Sequence, residues 1–254
     1  TSSHFKNCSM NPIEIFNTEC KNRIESQGKN EPLLQASKTF MEASIRSGYS
    51  YNFKWMGRPI IQYPQDMIAV QEIIWNIQPD LIIETGIAHG GSLIYYASLL
   101  ELTGNGEVLG IDIDIREHNR AEIEKHPMFK RISMIEGSAV SESTLEKVKA
   151  YTKGKQKVMV CLDSNHTHDH VFRELQLYSE FVTPGSYLVV FDTIVENLPA
   201  NYMPNQTRPW GPGNNPMTAV DEFLSTNKQF SIDKSIDNNI LISVAPRGYL
   251  IRTN

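Results

Sequence analysis

The sequence has few cysteines, no excess of positive charge and no long apolar segment. Its three cysteines, Cys8, Cys20 and Cys161, are odd in number and irregularly spaced, which indicates neither a disulfide framework nor a Cys-x-x-Cys metal site. We therefore expect a reducing, cytoplasmic location. The longest apolar segment, residues 93–100, falls well short of the roughly 20 residues that cross a bilayer, so no membrane insertion is predicted.

The composition is that of an ordinary globular protein. Among 254 residues, 40% are hydrophobic and 21% are charged, which excludes a disordered or fibrous chain. The formal net charge of −5 gives no electrostatic footprint for nucleic acid. The first ten residues have no apolar segment and no initiating Met, so we expect no secretory signal and a trimmed, processed or tagged terminus.

Two regions differ in character. Residues 1–60 are predicted to form a polar N-terminal arm, with one or two short helices over 1–35 and a further helix over 33–47 that ends at Gly48. The arm also contains the aromatic-rich start of an irregular segment, 49–66, which either lines a site or covers a sheet edge. Because this arm is poorly suited to packing on its own domain alone, a homo-oligomer is predicted. Residues 61–254 are predicted to form the main domain.

The main domain alternates helices and strands. Short apolar runs predict buried strands at 80–84, 107–112, 132–136, 157–163 and 187–192. Helical patterns lie before and between them at 66–77, 92–101, 116–125, 141–151 and 168–181. This alternation predicts an α/β fold with a mostly parallel, Rossmann-like sheet and helices on both faces.

The C-terminal part breaks the alternation. A helix is predicted over 218–227, and strands over 230–235, 240–244 and 249–252, the first two joined by a turn at 237–239. An antiparallel hairpin that ends a parallel sheet is typical of class I methyltransferases, which use S-adenosylmethionine (SAM). That is an analogy at the level of the fold.

The first strand ends in an acidic, glycine-rich loop, Glu84-Thr-Gly-Ile-Ala-His-Gly-Gly-Ser92. A dinucleotide pyrophosphate would be repelled by Glu84, and Ala88 departs from the Gly-x-Gly-x-x-Gly spacing. The cationic sulfonium and ammonium groups of SAM suit an acid at this place. After the second strand, Asp112 suits a ribose diol, and after the third, Ser138 lies in a small polar turn that can flank an adenine.

The next two strands end in Asp163 and Asp192. Both carboxylates would emerge at one edge of the sheet, where oxygen ligands suit Mg²⁺. Three histidines follow Asp163: His166 is the candidate general base, and His168 and His170 are expected to cap or orient the next helix. If that helix starts near His166, then His166 and His170 share a face.

The histidine cluster also permits other enzyme classes. Metallo-β-lactamase-type hydrolases carry His-x-His-x-Asp-His, but the run 166–170 is one residue shorter. Facial-triad iron oxygenases normally use a β-barrel, whereas this sequence alternates β and α.

Several segments together resemble the cephalosporin hydroxylase family, whose members resemble class I SAM-dependent O-methyltransferases, including antibiotic-tailoring and rhamnosyl O-methyltransferases. The resemblance runs from about residue 50 to the C-terminus and rests on EIIWNIQPDLIIETGIAHGGS, LGIDIDIR, LDSNHTHDHV, YLVVFDT and RPWGPGNNP. The family name suggests oxygenase chemistry, which nothing in these residues supports.

A more distant resemblance, to catechol-type O-methyltransferases, implies residue roles. Their Glu-x-Gly-x-x-x-Gly-x-Ser loop matches Glu84, Gly86, Gly90 and Ser92. The family's ribose-binding acid falls on Asp112, its adenine-side Ser on Ser138 and its first metal aspartate on Asp163. The predicted cofactor site comprises Gln62, Glu84, Gly86, His89, Gly90, Ser92, Asp112, Ser138 and Asp163. The implied metal ligands are Asp163, Asp192 and Thr193. Some sugar-modifying relatives have Glu where this chain has Phe191, so the third ligand is open between Thr193 and Glu196.

The predicted function is metal-dependent methyl transfer from SAM to a hydroxyl of a sugar, glycoside or nucleotide sugar. Asp163 and His166 are the predicted catalytic residues. The segment 49–55 and the loop from Arg208 are expected to close over the site, with Trp210 stacking on a sugar and Arg208 meeting a phosphate. Alternatives are a small non-sugar acceptor, a hydrolase or oxygenase that uses the histidine cluster, and a non-catalytic SAM-binding subunit.

Overall fold

A seven-stranded sheet organises the protein, for which a computed structural model describes residues 11–199, 202 and 208–254. Cys8, the terminus before residue 11 and part of the loop 196–216 lie outside the described residues. The strand order is β5-β4-β3-β6-β7-β9-β8. The strands are β3 (Leu81–Thr85), β4 (Glu107–Asp112), β5 (Ile132–Glu136), β6 (Val158–Leu162), β7 (Tyr187–Val190), β8 (Phe230–Ile232) and β9 (Tyr249–Arg252).

The five strands β3–β7 are parallel, as their continuous apolar sequences predict. Successive side chains of β3 enter different cores: Ile82 packs in the cluster on one face, while Leu81 and Ile83 pack in the cluster on the other. Every residue of β3 and of β6 is buried. The prediction of a mostly parallel sheet covered on both faces is confirmed.

The predicted helices of the main domain are present with ends shifted by a few residues. They are α3 (Pro64–Ile77), α4 (Gly91–Thr103), α5 (Glu117–Glu124), α6 (Glu142–Thr152), α7 (His168–Tyr178) and α8 (Pro216–Thr226). The sequence patterns gave no indication of two 3₁₀ turns, Pro127–Arg131 and Thr193–Asn197. The second of these immediately follows β7 at the predicted site.

The N-terminal arm is more regular than expected. Two 16-residue helices form here, α1 (Pro12–Gln27) and α2 (Glu31–Arg46). The predicted helix over 33–47 is confirmed by α2, whereas α1 is longer than the short helices expected before it. Each begins at an Asn cap followed closely by Pro, a strong start signal. The aromatic segment then forms a small hairpin of β1 (Lys54–Trp55) and β2 (Arg58–Pro59). No residue of α1 is buried, whereas α2 buries Met41 in the main core.

The predicted strand 240–244 is wrong, although the C-terminal antiparallel pair is confirmed. Residues Lys234–Ile240 form a helix, α9, whose N-terminus is capped by the Asp233 side chain. Ile236 and Ile240 lie four residues apart and pack against the core, a helical spacing that outweighs their β propensity. The partner of β8 is instead β9, which also pairs antiparallel with β7.

The sheet order reverses between β3 and β6. Strand β3 pairs with β4 on one side and with β6 on the other, so the connections diverge there and open a crevice at the carboxyl ends. Ligands of open α/β sheets bind at such a point. Within the described ranges, no helix combines the length and the apolar character that crossing a membrane requires.

Candidate active site

The predicted site residues follow the strand order along the carboxyl edge of the sheet. Ser138 follows β5, Asp112 ends β4, Gly86 follows β3, Asp163 follows β6 and Asp192 lies just beyond β7. The residues predicted for the adenine, the ribose, the methionine part of SAM and the metal therefore succeed one another in that order. Residues distant in sequence reach one edge because the strands are parallel.

The glycine loop after β3 is shaped by its contact with the next strand end. Gly86 has φ +92, and a Cβ there would overlap the carbonyl oxygen of Asp163 and lie 3.0 Å from Ser164 Cα. A Cβ on Gly90 would overlap the side chain of Ile123. These glycines thus allow close packing within the protein, besides any approach of a ligand.

Replacing Gly86 with Ala should lower the free energy of unfolding by about 3 kcal/mol or more, because backbone strain and overlap add. Gly104 is the matched control: its φ is +82, but no atom lies within 4 Å of an added Cβ. Gly104→Ala should cost only the conformational penalty of about 1–2 kcal/mol. Urea denaturation measures both losses, and equal losses would show that packing against Asp163 does not constrain the loop.

Two acids hold the glycine loop in place. The backbone N–H groups of Ile87 and Ala88 donate to Asp112 Oδ2 at 2.7 and 3.3 Å. Ser92 Oγ donates to Glu84 Oε2 at 2.6 Å, and burial raises the pKa of Glu84 to about 8. Glu84 is buried and does not line the cleft, whereas its hydrogen-bond partner Ser92 does.

A cleft of about 340 Å³ opens above this edge. Two of its lining residues, Ala88 and Asp192, have φ of +45 and +56, in the left-handed region that is strained for residues with a side chain. Such strain of about 1–3 kcal/mol concentrates at functional sites. Gln62 is 6% exposed and lines the cleft, and its Oε1 has no hydrogen-bond partner among the described residues.

Asp163, His166 and Asp192 meet in this cleft. Each offers one ligand atom, and these atoms all lie within 4.8 Å of one another. His166 Nε2 is 3.2 Å from Asp192 Oδ2. His166 is held between this carboxylate and Trp210, whose ring meets it edge to face at a centroid distance of 5.0 Å.

The electrostatics of this cluster favour a cation. Burial raises the pKa of Asp163 well above its ordinary value, and the charges of Asp192, Glu84 and Glu174 raise it further. In the described part of the chain, neither Asp163 nor Asp192 forms an ion pair with Lys or Arg. Two carboxylates that converge without a Lys or Arg partner are a donor set suited to a divalent ion.

The three histidines have separate environments. Helix α7 begins at His168, so His166 precedes the helix and does not share a helical face with His170. His168 joins α7 to α8 through Thr218 Oγ1 at 2.8 Å and Glu222 Oε2 at 3.0 Å. His170 Nε2 lies 3.2 Å from Ser164 Oγ. These contacts agree with the orienting roles expected of His168 and His170.

The structure does not support Thr193 or Glu196 as the third metal ligand. Thr193 is fully buried, and its Oγ1 donates to the Pro246 carbonyl at 2.7 Å, away from the cleft. The Glu196 carboxylate accepts from Gly213 N at 2.7 Å and so fixes the following loop. His166 is instead the third group in range of an ion.

The cleft collects most of the predicted site, but not all of it. Seven predicted residues line it: Gln62, Gly86, His89, Ser92, Asp163, His166 and Asp192. Five do not: Glu84, Gly90, Asp112, Ser138 and Thr193. Arg208, Trp210 and Tyr51 also line it, as expected for the segments that would close over the site. Arg208 lies over the Trp210 ring at 5.2 Å.

Sequence reasoning missed Ser164 and Glu174. Ser164 lines the cleft next to Asp163, and its Oγ donates to Glu174 Oε1 at 2.8 Å. A signal was present, because Glu174 occupies an inward position of α7 where an apolar residue is expected.

Comparison with solved structures identifies the fold as that of class I O-methyltransferases. An apo-structure of CmcI aligns with a TM-score of 0.59 at 20% identity, over 80% of this chain and 77% of that chain. A structure described as CmcI with Mg and SAM aligns with a TM-score of 0.56 at 20% identity, over 80% and 78%.

The chain belongs to the Rhamnosyl O-methyltransferase/CmcI family, whose sequence model matches residues 47–253. The rhamnosyl O-methyltransferase of Mycobacterium tuberculosis is 32% identical over 204 residues, 78% of this chain and 77% of that protein. The rhamnosyl O-methyltransferase of Mycobacterium leprae is 27% identical over 201 residues, 78% and 82% of the two chains. The resemblance found in the sequence is confirmed.

Proposed function

We propose that this protein transfers a methyl group from SAM to a hydroxyl oxygen, with a divalent cation held beside the cofactor. The observation that carries the proposal is the convergence of Asp163, His166 and Asp192 at the switch point of a class I methyltransferase sheet. Family membership and the Mg and SAM of the CmcI structure support the same chemistry.

The residues fit both groups. For the cofactor, buried Gln62 lines a cleft bounded by the glycine loop, and its Oε1 has no hydrogen-bond partner among the described residues. Asp112, the residue predicted for the ribose, ends the neighbouring strand β4. For the metal, Asp163 and Asp192 offer oxygen ligands, and neither forms an ion pair with Lys or Arg among the described residues. A divalent ion would supply a positive charge that favours the deprotonated form of an acceptor hydroxyl.

The chain's own side chains then orient the acceptor and remove its proton. His166 is the candidate base, a role worth roughly 10²–10⁴-fold in rate. The carboxylate of Asp192, 3.2 Å from Nε2, stabilises the imidazolium that forms. Holding the oxygen in line with the methyl group supplies the remaining advantage through proximity and orientation.

A sugar hydroxyl is the preferred acceptor. The similar mycobacterial proteins are named rhamnosyl O-methyltransferases, and Trp210 offers an aromatic face in the cleft. Two neighbouring hydroxyls could both approach the metal, so a vicinal diol is favoured. Arg208 would meet a phosphate if the acceptor is a nucleotide sugar.

The test is a SAM-dependent gain of one methyl group by mass spectrometry across nucleotide sugars and glycosides, with Mg²⁺ or with EDTA. We expect a product with Mg²⁺ only, and calorimetric binding of S-adenosylhomocysteine. Absence of both S-adenosylhomocysteine binding and product, together with binding of NAD, would refute the proposal.

We also infer a homo-oligomer in the cytoplasm, with residues 1–60 as an arm on the domain 61–254. Helix α1 buries no residue and exposes Ile13 and Phe16, which supports its packing on a second copy of the chain.

The cysteines support the cytoplasmic location. Both described cysteines, Cys20 and Cys161, are free thiols, which agrees with a reducing compartment.

A further inference from the structure

Helix α7 buries a carboxylate where its pattern calls for an apolar side chain. Its inward positions are Val171, Glu174, Leu175 and Tyr178, and Glu174 is 0% exposed. Burying a carboxylate costs several kcal/mol unless its partners compensate. The methyl transfer steps described above do not use Glu174. Its partner Ser164 lines the cleft, so this buried acid is connected to the site.

Glu174 is connected to the loop after β6. Ser164 Oγ donates to Glu174 Oε1 at 2.8 Å, and His170 Nε2 lies 3.2 Å from Ser164 Oγ and 3.6 Å from Glu174 Oε1. Because the Ser164 hydroxyl donates to Glu174, the contact between His170 and Ser164 is a hydrogen bond in the tautomer that carries N–H at Nε2. Within the described residues, Glu174 Oε2 has no hydrogen-bond partner.

This connection fixes the backbone of Asp163. On the sheet side, Asp163 N donates to the Thr85 carbonyl at 2.9 Å, and Gly86 packs directly against the Asp163 carbonyl. On the helix side, the next residue, Ser164, is held by Glu174. The Asp163 main chain is therefore anchored from both directions, which fixes the point and the direction from which its carboxylate approaches Asp192.

We propose that Glu174 and Ser164, supported by His170, form a positioning unit that holds the Asp163 carboxylate in the geometry that binds a divalent cation. The inference rests on the proposed function, and none of the three residues is assigned a contact with the acceptor. Groups behind the first ligands commonly set metal affinity by orienting those ligands.

The test measures Mn²⁺ binding, by the electron paramagnetic resonance signal of the free ion, together with Tm. Ser164→Ala and Glu174→Met should each weaken Mn²⁺ binding by about 10–100-fold. The Tm of Glu174→Met should hold or rise, because an apolar side chain replaces a buried carboxylate. Glu174→Gln should keep most of the Mn²⁺ affinity, since its amide oxygen still accepts from Ser164.

Ser186→Ala is the matched control. Ser186 is also fully buried, its Oγ has no partner among the described residues, and it lies just before β7 at the opposite end of the sheet. Its Mn²⁺ affinity should match that of the wild type. Wild-type Mn²⁺ affinity in both Ser164→Ala and Glu174→Met would overturn this inference alone. So would losses of affinity that simply follow losses of Tm. A wild-type protein that binds no Mn²⁺ would overturn the proposed function and this inference with it.

Discussion

Asp163→Asn should reduce methyl transfer by about 10³-fold, because a metal ligand provides several kcal/mol of transition-state stabilisation. Asn keeps the size of the side chain and removes the charge that faces Asp192. Asp192→Asn should give a loss of the same order, since both carboxylates reach the same point. Initial rates at saturating SAM, measured over a range of Mg²⁺ concentrations, give both values.

Asp169→Asn is the control for this pair. Asp169 is exposed in the first turn of α7 and lies outside the metal-binding cluster. Asp169→Asn should remove only the small favourable interaction of an acid with the helix N-terminus. The free energy of unfolding should fall by roughly 0.3–1 kcal/mol, and the rate should not change. If Asp163→Asn retains most of the activity and EDTA leaves the wild-type rate unchanged, a metal-free transferase that works by proximity explains the cleft better.

The parallel sheet was predictable because its signals are local and agree with one another. The strands β4 and β5 have the predicted bounds, since a buried parallel strand is a continuous apolar run between loops. The segment 240–244 was not predictable in the same way. Its apolar residues suit a strand, but Ile240 is the last residue of α9 and Leu241 has φ +59, so no extended run begins there.

The sequence predicted which edge of the sheet carries the site, but not the contacts that its side chains make there. Ends of parallel strands meet whatever their separation in sequence, which is why Asp163 and Asp192 were brought together as expected. The orientation of Thr193 depends instead on the left-handed conformation of Asp192 and on a carbonyl contributed by Pro246. Neither contribution can be read from the residues around Thr193.

The same limit applies to the glycine loop. Its sequence indicated a close approach of the backbone to a ligand, whereas Gly86 is required first by the Asp163 backbone. Glu174 shows the converse case, because a charged residue at an inward helical position was visible in the sequence. Its partner Ser164 became evident only when the loop geometry was known.

His166→Ala should lower kcat by about 10²–10⁴-fold while Mn²⁺ and S-adenosylhomocysteine still bind with wild-type affinity. The reason is that Mg²⁺ prefers oxygen ligands, so the imidazole stays free to take the acceptor proton. Added imidazole should restore part of the rate, because the cleft would have space for it beside Trp210. The pH–rate profile should lose the limb that a general base imposes. His118→Ala, an exposed change on α5, should alter none of these quantities.

The measured Mn²⁺ affinity decides between two roles for His166. The ring lies within reach of an ion that Asp163 and Asp192 would hold. Where some relatives carry Glu, this chain has Phe191, which offers no oxygen ligand. If His166→Ala loses Mn²⁺ affinity in proportion to kcat, and imidazole restores both together, the ring is a metal ligand that replaces this missing carboxylate. In that case Asp192 or water must take the acceptor proton, and kcat would fall because the variant no longer binds the metal. Wild-type Mn²⁺ affinity combined with lost turnover would assign the proton transfer to His166.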